Sequence, residues 1–283
     1  MKETTRPDKT ATCILKAILF CTIFTGLFIV LSFSKSFVPD KFERLAHGTI
    51  GTIAALLTTF LFLQLDRKTF ADIGLTFDKQ TFRNFFWGVI AGIILMGILS
   101  FSVIVFSNFQ IEINGHSTLL NFLLCTLPLI PLAFLEELGF RAYPLSLLKG
   151  TTGVRNSIIL TSLLFAVYHV ANGWTIQNAF LGAGVWGMVY GLAAIYSHGI
   201  AMPTGIHYAT NLTTSAFGIS EGSFNIWVLK SKEGLSLENY ESSQLTTLIP
   251  QLSLFIFALI GLEWYLRKTH KRTLPSPPLK RND

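Results

Sequence analysis

The sequence predicts an all-α polytopic membrane protein of about eight transmembrane helices, with its unusual polar residues concentrated on three of them. Three observations carry this. Only 13% of the 283 residues are charged and 51% are hydrophobic, against roughly 25% charged residues in soluble domains. Apolar runs recur at about the twenty-residue length that crosses a bilayer core. The basic residues lie in short segments flanking those runs, so the net charge of +6 reads as an orientation signal. No basic face interleaved with aromatics is present, and nucleic acid is not an expected partner.

Taken in order, the runs place spans at 12–33, 47–65, 84–107, 118–147, 155–171, 176–196, 203–217 and 246–266. The fourth is interrupted by Pro128, Pro131 and Pro144, and the last of these is expected to end its helix early. The fifth to seventh are shorter and carry polar residues. Gly182, Gly184, Gly187 and Gly191 in the sixth read as sites of close helix packing. The loop from 218 to 245 is expected to hold a short amphipathic segment near Trp227. Residues 1–283 read as a single integral membrane domain, with a core at 118–217 and a disordered Pro-containing tail at 274–283.

Orientation follows from Lys and Arg. A cytoplasmic N-terminus puts Lys2, Arg6, Lys9, Lys16, Arg67, Lys68, Lys79, Arg83, Lys149, Arg155, Arg267, Lys268, Lys271, Arg272, Lys280 and Arg281 inside. That is sixteen of the 22 basic residues, with Lys35, Lys41, Arg44, Lys230 and Lys232 outside and Arg141 within a span. Eight helices with both termini cytoplasmic satisfy the pattern, in the plasma membrane if the source is prokaryotic. The N-terminal stretch resembles a signal peptide, but its apolar run is long and no small-x-small site follows, so an uncleaved first helix is expected. Cys13, Cys21 and Cys125 are odd in number and lie in or beside apolar runs, which suggests no disulfide framework.

A charge near a bilayer centre costs a few kcal/mol even on the lenient insertion scale, and three segments bear such groups. FLEELGFR supplies Glu136, Glu137 and Arg141; FAVYH supplies His169; HYATN supplies His207 and Asn211. At 3.6 residues per turn, positions four apart share a face and neighbours diverge by about 100°. Glu137 therefore pairs with Arg141, in what is at least as much a structural ion pair as a chemical one. Glu136 lacks that local counter-charge, the setting in which a carboxylate serves as a general base near neutral pH. His207 and Asn211 form a ridge of two donors suited to an oxyanion. Depth is less consistent. Glu136 lies about 12 Å from Pro144 and Asn211 about 12 Å from Pro203, whereas His169 lies about 21 Å from Arg155, at 1.5 Å per residue.

These motifs resemble the CAAX-protease and bacteriocin-processing family of intramembrane endopeptidases. EELGFR matches its E-E-x-x-x-R, FAVYH its F-x-x-x-H and HYATN its H-x-x-x-N, in the family's order, over about 118–217. Each motif alone is weak; three in order, each in its own span, are specific. The resemblance implies that Glu136 is the base activating water together with His169, that His207 and Asn211 hold the oxyanion, and that Glu137 and Arg141 support the first motif. It implies a peptide or protein substrate in or at the membrane, of a kind that can be lipid-modified.

Alternatives remain beside this reading. Zinc on His169, His207 and a glutamate around an open position would serve the same hydrolysis, although Asn211 is a poor zinc ligand, and a mechanism without cofactor or metal is favoured. A non-catalytic bacteriocin-immunity factor, scaffold or transporter would use the polar cluster to bind a ligand, but a transporter should show repeated halves, and none is visible. His47, His116, His198 and His270 carry no partner motif and are expected in loops or interfaces. Asn211-Leu212-Thr213 is formally a glycosylation sequon, unusable inside a span.

Overall fold

The computed structural model describes residues 9–106, 109–115, 118–218, 225–231 and 244–273. The expected tail at 274–283, most of the 218–245 loop and His116 fall outside these. The elements are α1 (Lys9–Ser32), α2 (Glu43–Asp66), α3 (Lys79–Phe106), β1 (Phe109–Ile113), α4 (Leu119–Thr126) and α5 (Leu129–Glu137). A π-helical segment (Leu138–Ala142) leads into α6 (Tyr143–Ala171), and a second (Asn178–Gly184) into α7 (Val185–Ser197). After these come α8 (Ala201–Ala216), β2 (Trp227–Ser231) and α9 (Gln244–Thr273). The all-α expectation needs one amendment. β1 and β2 form a two-stranded antiparallel sheet with Ile113 opposite Trp227, so the segment near Trp227 is a strand.

The protein is an integral membrane protein. Among the described residues, six helical stretches are long and apolar enough to cross a membrane: Lys9–Phe37, Asp40–Asp66, Lys79–Ser102, Leu119–Ala171, Asn178–Ser197 and Ile249–Thr269. The count differs from eight for two reasons. Leu119–Ala171 runs for 53 residues and contains both the fourth and fifth expected spans. The seventh corresponds to α8, which has only 16 residues.

Pro144 does not end its helix. It sits in the first turn of α6, where its missing N–H is tolerated, and the π-helical segment just before it widens the turn its ring would crowd. The chain instead turns at Gly153, whose φ of 77° and ψ of 169° are non-helical; a positive φ is open to glycine without a Cβ clash. This removes the depth conflict. Counted from Gly153, Glu136 is seventeen residues up one limb and His169 sixteen up the other, about 25 Å in each case. Contacts between the limbs agree, since the Phe140 ring lies 5.2 Å from both Phe165 and Tyr168.

The start of α1 lies beside this turn, around a hollow lined by Thr10, Ile14, Thr151, Thr152 and Asn156. Lys16, Asp66 and Tyr143 meet a little above it: Lys16 pairs with Asp66, and the Tyr143 hydroxyl donates to Asp66 at 2.7 Å. We call this the lower end of the bundle; α3 and α8 both run from it to the upper end, where β1 and β2 pair.

Two kinds of packing hold the helices. Phe20, Phe24 and Phe28 of α1 are buried against Phe62, Phe140, Tyr143 and Tyr168. On the other side, α3 and α8 lie parallel with their backbones in contact. A Cβ on Gly88 would come 2.2 Å from the Met202 carbonyl oxygen, one on Gly92 2.8 Å from that of Ile206, and one on Gly205 2.2 Å from that of Phe85. Lipid tails are as apolar as leucine, so close approach of small residues is what drives such a contact. Gly187 and Gly191 of α7 follow the packing expectation, set against Arg141 with Ser162 and against Ile158.

Candidate active site

Glu136 and Glu137 are in the last turn of α5, directly before the π-helical segment that carries Arg141. Short π-segments inside α-helices frequently mark functional sites. Glu137 and Arg141 side chains have no exposed surface, and Arg141 Nε lies 3.5 Å from Glu137 Oε2. The guanidinium stacks over Phe165 at 4.1 Å and lies 5.4 Å from the Tyr190 ring. Its charge is met by one carboxylate and by ring faces, which attract a cation most when desolvated.

Glu136 faces two imidazoles. Its Oε2 lies 4.0 Å from His169 Nε2 and 3.6 Å from His207 Nε2, and that oxygen is buried with no hydrogen-bond partner among the described residues. His169 is near the end of α6, where its Nδ1 is 2.9 Å from the Phe165 carbonyl. A carbonyl only accepts, so Nδ1 carries a proton, and in the neutral ring Nε2 presents a lone pair. The Trp174 ring meets the other side of His169, edge to face at 4.6 Å. The Asn172–Gly173 turn, with Gly173 at φ 92°, brings Trp174 back to donate its N–H to the His169 carbonyl at 3.0 Å.

His207 spans both glutamates. Its Nδ1 is 2.8 Å from Glu137 Oε1, while its Nε2 faces Glu136. Glu137 thus meets His207 as well as the Arg141 that helical spacing paired with it. The two carboxylates do diverge around the helix, but an imidazole has nitrogens on opposite edges and reaches one with each. The His207 ring stacks on Tyr190 at 4.5 Å and 14°, a contact that no motif in the sequence signalled. Asn211 is half-buried one turn further along α8.

The structure thus brings together Glu136, Glu137, Arg141, His169 and His207, with Asn211 next to His207 on the same helix. His47 was expected in a loop or interface. It lies in the interface of α2 with α1, edge to face with Phe28 at 4.8 Å and 3.3 Å from Lys35 Nζ. Gly48 beside it meets Leu132, one turn from Glu136. His198 caps α7 in a left-handed conformation.

Glu136 Oε2 and the two Nε2 atoms are the atoms of this site with metal-ligand chemistry, the nitrogens of His207 and His169 lying 3.6 and 4.0 Å from that oxygen. Among the described residues no group of three or more His, Cys, Asp or Glu is disposed to bind one. Cys13, Cys21 and Cys125 are free.

Residues 116–213, about a third of the chain, match the family model described as Type II CAAX prenyl endopeptidase Rce1-like. The match covers all three motifs, agrees with the resemblance drawn from them and points to a CAAX-protease-type enzyme. Comparison with curated proteins gives no match.

Proposed function

We propose that the protein is an intramembrane endopeptidase that hydrolyses a peptide bond of a membrane-associated protein or peptide with a water activated by Glu136 and His169. The observation that carries this reading is the convergence of a buried carboxylate oxygen, without a hydrogen-bond partner among the described residues, and two imidazole Nε2 atoms within 4.0 Å. A water placed there donates to Glu136, loses a proton to it as it attacks, and adds its oxygen to the carbonyl carbon. His169, fixed by the Phe165 carbonyl, accepts at Nε2 and orients that water. The carbonyl oxygen, negative in the tetrahedral intermediate, is held by Asn211 and His207. To donate from Nε2 while Nδ1–H is given to Glu137, His207 must carry both protons; Glu137 is then its counter-charge, and Arg141 the counter-charge of Glu137. Glu136 returns its proton to the leaving nitrogen. No cofactor is invoked. The substrate lies in or at the bilayer and can be lipid-modified; both termini are cytoplasmic, in the plasma membrane if the source is prokaryotic.

Zinc is the second reading. Each histidine has its Nδ1 held, by a carbonyl or a carboxylate, as zinc-bound histidines do, and Glu136, His169 and His207 would be the ligands.

The test is a set of purified variants in detergent. Glu136→Gln keeps shape but not basicity; it should abolish cleavage with the parent's melting temperature. Asn211→Ala should lose on the order of 100- to 1,000-fold in turnover, as for one oxyanion donor. Cleavage that survives a strong chelator supports the metal-free mechanism, and loss restored by zinc supports the other. Normal cleavage by Glu136→Gln would refute the assignment of the base.

A further inference from the structure

The site is closed on one side and open on the other. Beneath it, Glu137, Leu138, Phe140, Arg141, Ala142 and Tyr143 are all 3% exposed or less, so nothing approaches from the Gly153 side. Above it, α6 stops two residues after His169, and every residue from 171 to 178 is exposed. That segment includes Asn172, Thr175, Gln177 and Asn178. Exposed irregular backbone bearing such side chains belongs at an aqueous surface, because in lipid its polar groups would be unsatisfied. Trp174, half-exposed, stands between this surface and His169. Across the site the upper rim is polar as well. The Lys35 ammonium can only donate, so His47 Nδ1 accepts from it and the His47 proton is on Nε2; Lys35 also pairs with Glu43 at 3.6 Å.

The two ends also differ in basic residues. The lower end gathers the start of α1 with Lys9 and Lys16, and the α2–α3 connection with Arg67 and Lys68. Lys149 and Arg155 flank the Gly153 turn there. Arg155 is tied to Glu263 at 2.7 Å, ahead of Arg267 and Lys268 in α9. Contact of Gly74 with His198 and Gly199 confirms that the connections before α3 and α8 share this end. Basic segments of this kind stay in the cytoplasm during insertion.

We infer that the site is reached from the upper end, past Trp174, and that this end faces away from the cytoplasm, so the substrate is a polypeptide segment exposed on the extracytoplasmic side of the membrane. The inference rests on the endopeptidase reading for the word substrate, and on packing and charge for the direction of access. Trp174 then borders the substrate's path and is a positioning residue for His169.

Two measurements separate the parts. In a background where Cys13, Cys21 and Cys125 are replaced by Ala, Trp174→Cys should react with a membrane-impermeant maleimide added to intact cells, and Lys149→Cys only in inverted vesicles. Asn172→Cys serves in place of Trp174→Cys should the latter not accumulate. In parallel, an impermeant fluorogenic peptide is offered to purified protein in detergent, to intact cells and to inverted vesicles, with Glu136→Gln as the blank. We expect cleavage in detergent, and cleavage by cells at least about 10-fold faster than by vesicles. Cleavage in detergent and in inverted vesicles but not by cells would overturn the direction of access while leaving the protease standing. Labelling from outside with no cleavage in detergent would do the reverse. A cysteine in the 172–174 turn that reacts from neither side would also overturn the access route.

Discussion

The catalytic candidates are carried by two halves of the bundle that are packed by opposite means. Glu136, Glu137, Arg141 and His169 sit on the α5–α6 hairpin, which α1 embraces through rings: Phe24 against Phe140 and Tyr168, each at 5.9 Å, and Phe20 against Tyr143 at 5.1 Å. His207 and Asn211 sit on α8, which α3 grips through bare backbone at Gly88, Gly92 and Gly205. Rings fill space with soft, rotatable matter. Backbone against backbone leaves nothing that can move. The two halves should therefore respond differently to the same insult, although each holds one side of the same carboxylate.

Four substitutions sharpen or break that contrast. The largest effect is expected at Gly205→Ala, where the new methyl would fall 2.2 Å from the Phe85 carbonyl oxygen and 2.9 Å from the Val89 nitrogen. No side chain can yield there, and the variant should give no detergent-stable, folded protein in size-exclusion chromatography.

Glu137→Gln comes next. It strands Arg141 in a fully buried position, a loss of about 3–5 kcal/mol when one partner of a dry ion pair is removed. It also replaces the acceptor that holds His207 Nδ1. Both melting temperature and turnover should fall; a variant as stable and as fast as the parent would show that Glu137 holds neither Arg141 nor His207.

On the ring-packed side, Phe24→Ala should cost about 3–5 kcal/mol, the usual range for emptying a buried phenylalanine site. Less of that loss should appear in lipid than in detergent if a tail can fill the gap. The smallest effect is expected at Gly139→Ala. Its Cβ would meet the Phe24 ring edge at 2.6 Å, as tight on paper as many contacts in the α3–α8 seam, but a ring can shift. We expect a loss of about 1 kcal/mol, at the low end for overpacking, with cleavage retained. Equal losses at Gly139→Ala and Gly205→Ala would end the distinction between the two halves.

How much of this could be read from the sequence depends on how local the cause was. The apolar runs, the three motif segments and the Glu137–Arg141 pair are matters of composition and helical spacing, and spacing is present in a single chain. The turn at Gly153 falls in the gap left between the expected spans 118–147 and 155–171; what misled was Pro144, which looked like a stop, although a proline in a first turn stops nothing. The small sheet was missed because its strands, 109–113 and 227–231, come from distant loops and neither is stable alone. The Gly88, Gly92 and Gly205 seam escaped because its clashes are with another helix, which a sequence does not display.

The sequence by itself determined the membrane environment and singled out the few ionisable groups inside the spans, because the bilayer's penalty on charge acts on each residue separately. Only the tertiary structure decided that one histidine ring joins both glutamates, that His47 stands by the site, that Trp174 covers His169 and that one end of the site is sealed. Those facts join residues as far apart in the chain as His47 and His207, and only the packing of helices against one another sets them.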